Sequence, residues 1–246
     1  MEKHYDIGLY GWWGHDNFGG CLTYFALHET LKNMGYSVLM IQEALGISNI
    51  RYKIKDTCIA MRFAKKHYDC SAQVDYKELP EFNDICDTFF VGGDQLWNNL
   101  IPFVSEDDFL NWVNDDKRKI SYSTSFGSKN HNPPVELKEK YSELLQRYNA
   151  ISVRENYAPD LSKKIYGVEA TEIIDAVFLQ DKEVYEKIAK EATVSFDKKY
   201  LLAFILNPIP EKRKVIEDIA EKLGIDEIIC IPDAAVAYHK SMNEVF

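Results

Sequence analysis

Four short stretches of the chain gather residue types that can hold a ligand. The first is Gly11-Trp12-Trp13-Gly14-His15-Asp16-Asn17-Phe18-Gly19-Gly20. Its glycines let backbone approach a ligand closely, and the amides of a helix that follows favour an anion. Asn17, Gly19 and Gly20 are therefore candidate substrate-binding positions, and His15 could serve a ligand. The stretch fits neither GxGxxG nor the phosphate loop ending in Gly-Lys-Ser/Thr. A plain flexible turn, with its tryptophans covering the sheet edge, is the competing reading.

The second stretch, Val91-Gly92-Gly93-Asp94-Gln95-Leu96-Trp97-Asn98, sets two glycines, a carboxylate, an amide and an indole past an apolar run. Gly93, Asp94, Gln95 and Trp97 suit a polyhydroxylated ligand, with Asp94 and Gln95 bonding hydroxyls and Trp97 covering an apolar sugar face. A strand-end turn with Asp94 capping a helix is the alternative. In the third, Ser123-Thr124-Ser125-Phe126-Gly127-Ser128, Ser125 and its neighbours offer hydroxyls either to phosphate oxygens or to a helix cap. The fourth, Ser152-Val153-Arg154-Glu155, ends an apolar run with an arginine that can fork onto a carboxylate or phosphate, or pair structurally with an acid. Asp175 sits at the end of a further run and is ambiguous.

The elements that must carry these loops follow from the apolar pattern. Ile7–Tyr10 and Ser37–Ile41 read as strands flanking a helix with Leu22, Phe25, Ala26, Leu27 and Leu31 at helical spacing and Gly35 past its end. Thr88–Val91, Ile120–Ser123, Ala150–Val153 and Glu172–Ile174 read as further strands. Helices are expected after Pro133-Pro134, from Glu155 and over Lys182–Ala192. Strands alternating with helices predict an α/β doubly wound, mostly parallel sheet. Residues 42–82 show no clean strand and read as helical insertion and loops. A polar stretch at 195–199 divides a Rossmann-like domain, 1–195, from the start of a second α/β domain, 199–246. The second contains a strand Tyr200–Leu206, a helix Glu211–Leu223 and a strand Ile228–Ile231. In such a sheet, ligands bind in the loops at the carboxyl ends of the strands, where all four stretches lie.

Composition narrows the function classes. Of 246 residues, 29 are Lys or Arg and 39 are Asp or Glu, a formal charge of -10. That surface repels a phosphate backbone, so nucleic acid is not an expected partner. The five cysteines are scattered and never form CxxC, and the histidines show no ligand spacing, so neither a metal nor a cofactor is expected. No apolar run is long enough to span a bilayer and the first residues carry no secretion signal, so a cytoplasmic location is expected. These residues alone point to a pocket for an anion and a sugar, and to no defined reaction.

Taken in order, the blocks resemble the polysaccharide pyruvyl transferase family. They are Asn17–Leu27, Asp87–Asn98, Ile120–Gly127 and Ile151–Glu155 followed by Ile174-Asp175. The resemblance implies one half of a two-domain fold of the GT-B glycosyltransferase type. It also implies transfer of a pyruvyl group from phosphoenolpyruvate to a sugar hydroxyl as a ketal, in surface polysaccharide biosynthesis. Arg154 would then be the catalytic residue that holds phosphoenolpyruvate; from their position in the chain, and not from the resemblance, the 17–20 and 93–95 loops would shape the cleft, with the acceptor side one option. The acceptor would be a sugar, a sugar nucleotide or a lipid-linked glycan. The family's later His-Gly block, source of the proton donor, has no counterpart after Leu206, and His239 lacks its context. A truncated form, inactive alone and exposing an apolar face that favours a homo-oligomer, is therefore expected. A GT-B sugar-nucleotide glycosyltransferase and a non-catalytic sugar- or anion-binding protein are the alternatives.

Overall fold

A computed structural model describes residues 3–15, 17–45, 53–55, 58–93, 95–102, 104–192, 194, 196–232 and 242–245. The chain divides into two compact units, 1–181 and 182–246. The division falls ahead of the helix Lys182–Ala189, not in the polar 195–199 stretch after it.

The first unit is built on a seven-stranded sheet whose described pairings are all parallel. Its strands are β1 (Tyr5–Gly11), β2 (Val38–Gln42), β3 (Asp69–Cys70), β4 (Cys86–Gly92), β5 (Arg118–Thr124), β6 (Ala150–Val153) and β7 (Thr171–Glu172), in the order β3-β2-β1-β4-β5-β6-β7. The helices are α1 (Phe18–Asn33), α2 (Ile59–His67), α3 (Val135–Leu145) and α4 (Ala158–Tyr166). The inner strands are apolar at successive residues because both faces are covered. Ile7, Leu9, Val38 and Met40 pack on one face with Tyr24, Leu27 and Leu31 of α1. Tyr10, Leu39, Ile41, Phe89 and Val91 pack on the other, in a cluster reaching Tyr141 of α3 and Leu161 of α4. The expected doubly wound α/β fold is the fold observed.

Two expectations are corrected. Residues 42–82 contain a strand after all: β3 pairs with β2 through Leu39–Asp69 and Met40–Cys70. Two residues are too few to print a period-2 pattern, which is why the sequence concealed it. The strand near 172 is β7, Thr171–Glu172, rather than Glu172–Ile174.

The strand order decides where a ligand can sit. The chain runs outward from β1 through β2 to β3, then returns to place β4 on the other flank of β1. Connections from β1 and β4 thus diverge, opening a crevice at their carboxyl ends. The second unit holds α5 (Lys182–Ala189), β8 (Tyr200–Ile205), α6 (Pro210–Leu223), β9 (Glu227–Pro232) and α7 (Met242–Val245), with β8 and β9 parallel. No described helix is long and apolar enough to cross a membrane.

Two tests follow from this packing. A Cβ on Gly92 would lie 2.4 Å from the backbone oxygen of Tyr122 on β5. Gly92→Ala must therefore push β4 and β5 apart, and a loss of at least about 1–3 kcal/mol in denaturant unfolding is expected. His131 is buried beside Phe126 and Tyr166, and burial pushes its imidazole down to about 4 from 6.5. The unfolded chain then binds the extra proton between these values, so stability is full above about pH 6.5 and falls towards pH 4. His131→Gln should flatten the decline of Tm across that window; an unchanged slope would assign it to other groups.

Candidate functional site

The crevice at the switch point is organised by one phenol. Tyr24 lies in the second turn of α1, and its hydroxyl accepts the Trp12 N–H at 3.2 Å and donates to the Gly92 carbonyl. It thereby ties the end of β1 to the end of β4. Side chains are excluded where the backbone passes it: a Cβ on Gly11 would lie 1.8 Å from this hydroxyl, and one on Gly93 3.0 Å away. Gly93 also has φ +115°, a conformation that disfavours other residues.

Against this tie the first and second loops meet. Trp12, His15, Asn17, Gly20, Tyr24, Gln95 and Ile101 line a cavity of about 320 Å³. Asn17 caps α1, its side-chain oxygen accepting the Gly20 N–H at 3.1 Å. Gln95 adopts φ +52°, and its side-chain oxygen accepts from Asn98 Nδ2 at 2.9 Å. Of the residues expected to bind substrate, Asn17, Gly20 and Gln95 line the cavity. Gly19 lies in the first turn of α1, a Cβ there lying 3.3 Å from the Asn17 oxygen, and Gly93 sits against Tyr24. Asp94 and His239 lie outside the described residues.

Trp97 is a correction. Its ring is fully buried, stacked on Phe109 with centroids 5.4 Å apart, and its Nε1 donates to the Asp108 carbonyl at 3.0 Å. An indole so packed offers no face to a sugar. Trp12 instead lines the cavity, with Nε1 donating to Asp108 Oδ1 at 3.0 Å. The competing reading set both tryptophans of the first loop over the sheet edge; Trp13 is buried with its Nε1 donating to the Ile41 carbonyl at 3.0 Å, whereas Trp12 lines the cavity.

A second polar cluster stands at the ends of β5 and β6, apart from the described lining of this cavity. Ser125 is buried; its hydroxyl donates to Glu155 Oε1 and accepts the Gly127 N–H at 2.9 Å, so it positions a carboxylate and does not face a phosphate. Arg154 Nη1 donates to Asp175 Oδ2 at 3.1 Å, and Nη2 lies 3.6 Å from Glu155 Oε1. The structural pairing of Arg154 with an acid is the one realised here, although 29% of its side chain is exposed. Asp175 also accepts from Thr23 Oγ1 at 3.2 Å and caps the 3₁₀ turn Ala176–Leu179 through the Val177 N–H. The nearby Tyr122 hydroxyl is pushed up by burial and by the Asp175 charge.

Sequence reasoning also missed Glu43, which follows β2. Its carboxylate is 3% exposed and lies 2.7 Å from His15 Nε2. Nothing in its neighbourhood along the chain signals this, because the pair joins loops after different strands. Among the described residues no group of three or more His, Cys, Asp or Glu could hold a metal ion.

The profile of the polysaccharide pyruvyl transferase family matches residues 17–241, and the chain belongs to that family. None of the curated proteins matches it. Among solved structures it is similar to an alpha-glucosyltransferase in complex with UDP and a 13-mer DNA containing a HMU base. The TM-score is 0.53 and the identity 13%, over 89% of this chain and 54% of that one. The chain thus spans about half the length of that GT-B glycosyltransferase, and the likeness is one of fold.

The Tyr24 tie can be cut without changing the ring. Tyr24→Phe leaves the Trp12 N–H and the Gly92 carbonyl short of a buried partner. A cost of about 1–3 kcal/mol is expected, with faster hydrogen exchange at the Trp12 amide than in the wild type.

Proposed function

We propose that the chain serves in the transfer of a pyruvyl group from phosphoenolpyruvate to sugar hydroxyls as a ketal, in polysaccharide biosynthesis in the cytoplasm. The observation that carries this reading is the family match. It begins at Asn17, the cap that lines the cavity, and takes in the end of the first ligand-type loop and the whole of the other three. The cavity supports it by its chemistry. An indole, an amide, a helix cap and an imidazole suit a sugar, whose ring carbons are apolar and whose edges carry hydroxyls.

The donor makes a different demand. Phosphoenolpyruvate is a carboxylate and a phosphate on a three-carbon skeleton, and positive charge develops on the carbon bearing oxygen once the methylene is protonated. Cations must hold the two anionic groups throughout. In this reading Arg154 is the donor's anchor and exchanges its contact with Asp175 or Glu155 for the donor's carboxylate or phosphate. The resident carboxylates hold the guanidinium fork oriented before the donor arrives, and they also compete with it.

Calorimetric titration with phosphoenolpyruvate tests this without knowledge of the acceptor. Arg154→Ala should weaken binding at least tenfold while the protein stays folded, and Asp175→Asn should strengthen it by relieving the competition. Equal affinity in all three proteins would remove Arg154 from the donor site. A nucleoside diphosphate that binds more tightly than phosphoenolpyruvate would favour a sugar-nucleotide glycosyltransferase instead.

A further inference from the structure

The His15–Glu43 pair has the geometry of an acid–base device and stands where the cavity meets the end of β2. His15 lines the cavity with 32% of its side chain exposed, while the Glu43 carboxylate behind it is almost wholly buried. A carboxylate only accepts hydrogen bonds, so the contact of 2.7 Å between Nε2 and Oε1 puts the imidazole proton on Nε2. In the neutral ring the lone pair then resides on Nδ1. Glu43 is itself fixed by the backbone: its carbonyl accepts from Gln73 Nε2 at 3.2 Å, and Gln73 Oε1 accepts the Ile54 N–H at 2.9 Å.

The second oxygen supplies the energetic argument. Glu43 Oε2 is buried and has no hydrogen-bond partner. A buried carboxylate left half-satisfied is costly, and a proton arriving on the neighbouring imidazole creates the counter-charge that offsets that cost. The pair is therefore poised to stabilise an imidazolium at the moment a cavity-bound hydroxyl gives up its proton. A histidine buried for packing would need neither the exposed edge nor the carboxylate.

We propose that His15 is the general base for the acceptor hydroxyl, and that Glu43 is the positioning residue that sets its tautomer; the assignment rests on the pyruvyl transfer reading. As the acceptor oxygen bonds the central carbon of the methylene-protonated donor, its O–H bond breaks and the proton passes to His15 Nδ1. The Nε2 proton stays on the Glu43 hydrogen bond. Phosphate then leaves that carbon with the electron pair of its C–O bond, and the second hydroxyl adds to the same carbon to close the ketal. Its O–H proton passes to the released phosphate, and His15 returns its own proton to solvent, which recharges the general acid. The methylene proton comes from a separate general acid.

Phosphate release from phosphoenolpyruvate is measured over a panel of methyl glycosides, beside calorimetric binding of phosphoenolpyruvate. His15→Gln should lower kcat at least 100-fold with donor affinity within about twofold of wild type. Added imidazole should restore part of the turnover of His15→Ala, which a packing role would not permit. Glu43→Gln should lower kcat about 10–100-fold. Nitrogen NMR of histidine-labelled protein should show the Nε2–H form for His15 in the wild type. Full turnover by folded His15→Gln, or an Nδ1–H ring, overturns the assignment and leaves the transferase reading standing. A wild type that neither binds phosphoenolpyruvate nor releases phosphate overturns both.

Discussion

The hydroxyl of Tyr24 is the contact on which the candidate site depends. It reaches from α1 to the backbone beyond β1 and to the carbonyl that ends β4. Parallel strands diverge in their connections at a switch point, and nothing in the sheet ladder holds those connections together. A side chain from the first helix must do so, and a phenol is long enough while leaving a donor and an acceptor at its tip. The price is local: Gly11 and Gly93 must stay without side chains because the ring occupies their Cβ space. Gly11 and Gly93 are thus explained by packing on Tyr24 at least as well as by contact with a ligand.

From that tie the division of labour across the sheet follows. Among the described residues, the ends of β1, β2 and β4 supply a mixed surface that includes the His15–Glu43 imidazole–carboxylate pair. The ends of β5 and β6 supply the charged cluster of Arg154, Glu155 and Asp175. Asp175 links the two regions covalently distant in sequence, since it bonds Thr23 of α1 as well as Arg154. A shift of the guanidinium away from Asp175 would therefore be felt at α1, the helix whose cap and whose tyrosine both line the cavity.

Legibility in the sequence tracks the range of the interactions. The inner strands were readable because burial on both faces makes them continuously apolar, and α1 because Leu27 and Leu31 recur at helical spacing before Gly35. Glycine and polar content at strand ends mark the loops as candidate binding positions. Which side chain turns inward was not readable, because it is set by contacts far away in sequence. Trp97 is buried by Phe109 and the Asp108 carbonyl, whereas Trp12 is held at the cavity by the Asp108 carboxylate. One 3₁₀ turn, Glu106–Phe109, thus fixes the fate of both indoles. Ser125 and Arg154 were correctly placed at strand ends, but their partners Glu155 and Asp175 decide what they can do.

The charge balance sharpens the chemical problem that the site has to solve. With a formal charge of -10 over the chain and two carboxylates around Arg154, the resting field does not favour a highly anionic donor. If the donor binds at Arg154 as proposed, it displaces at least one carboxylate, and the carboxylate so freed must find another partner or stay near solvent. Glu155 is prepared for this by Ser125, whose buried hydroxyl bonds Oε1 whatever the arginine does. Asp175 is prepared by the Val177 N–H and Thr23, which hold its other oxygen. Both acids therefore keep a hydrogen bond when the guanidinium departs, which lowers the cost of the exchange. In the proposed reading, pairing at rest and donor binding are two positions of one arginine.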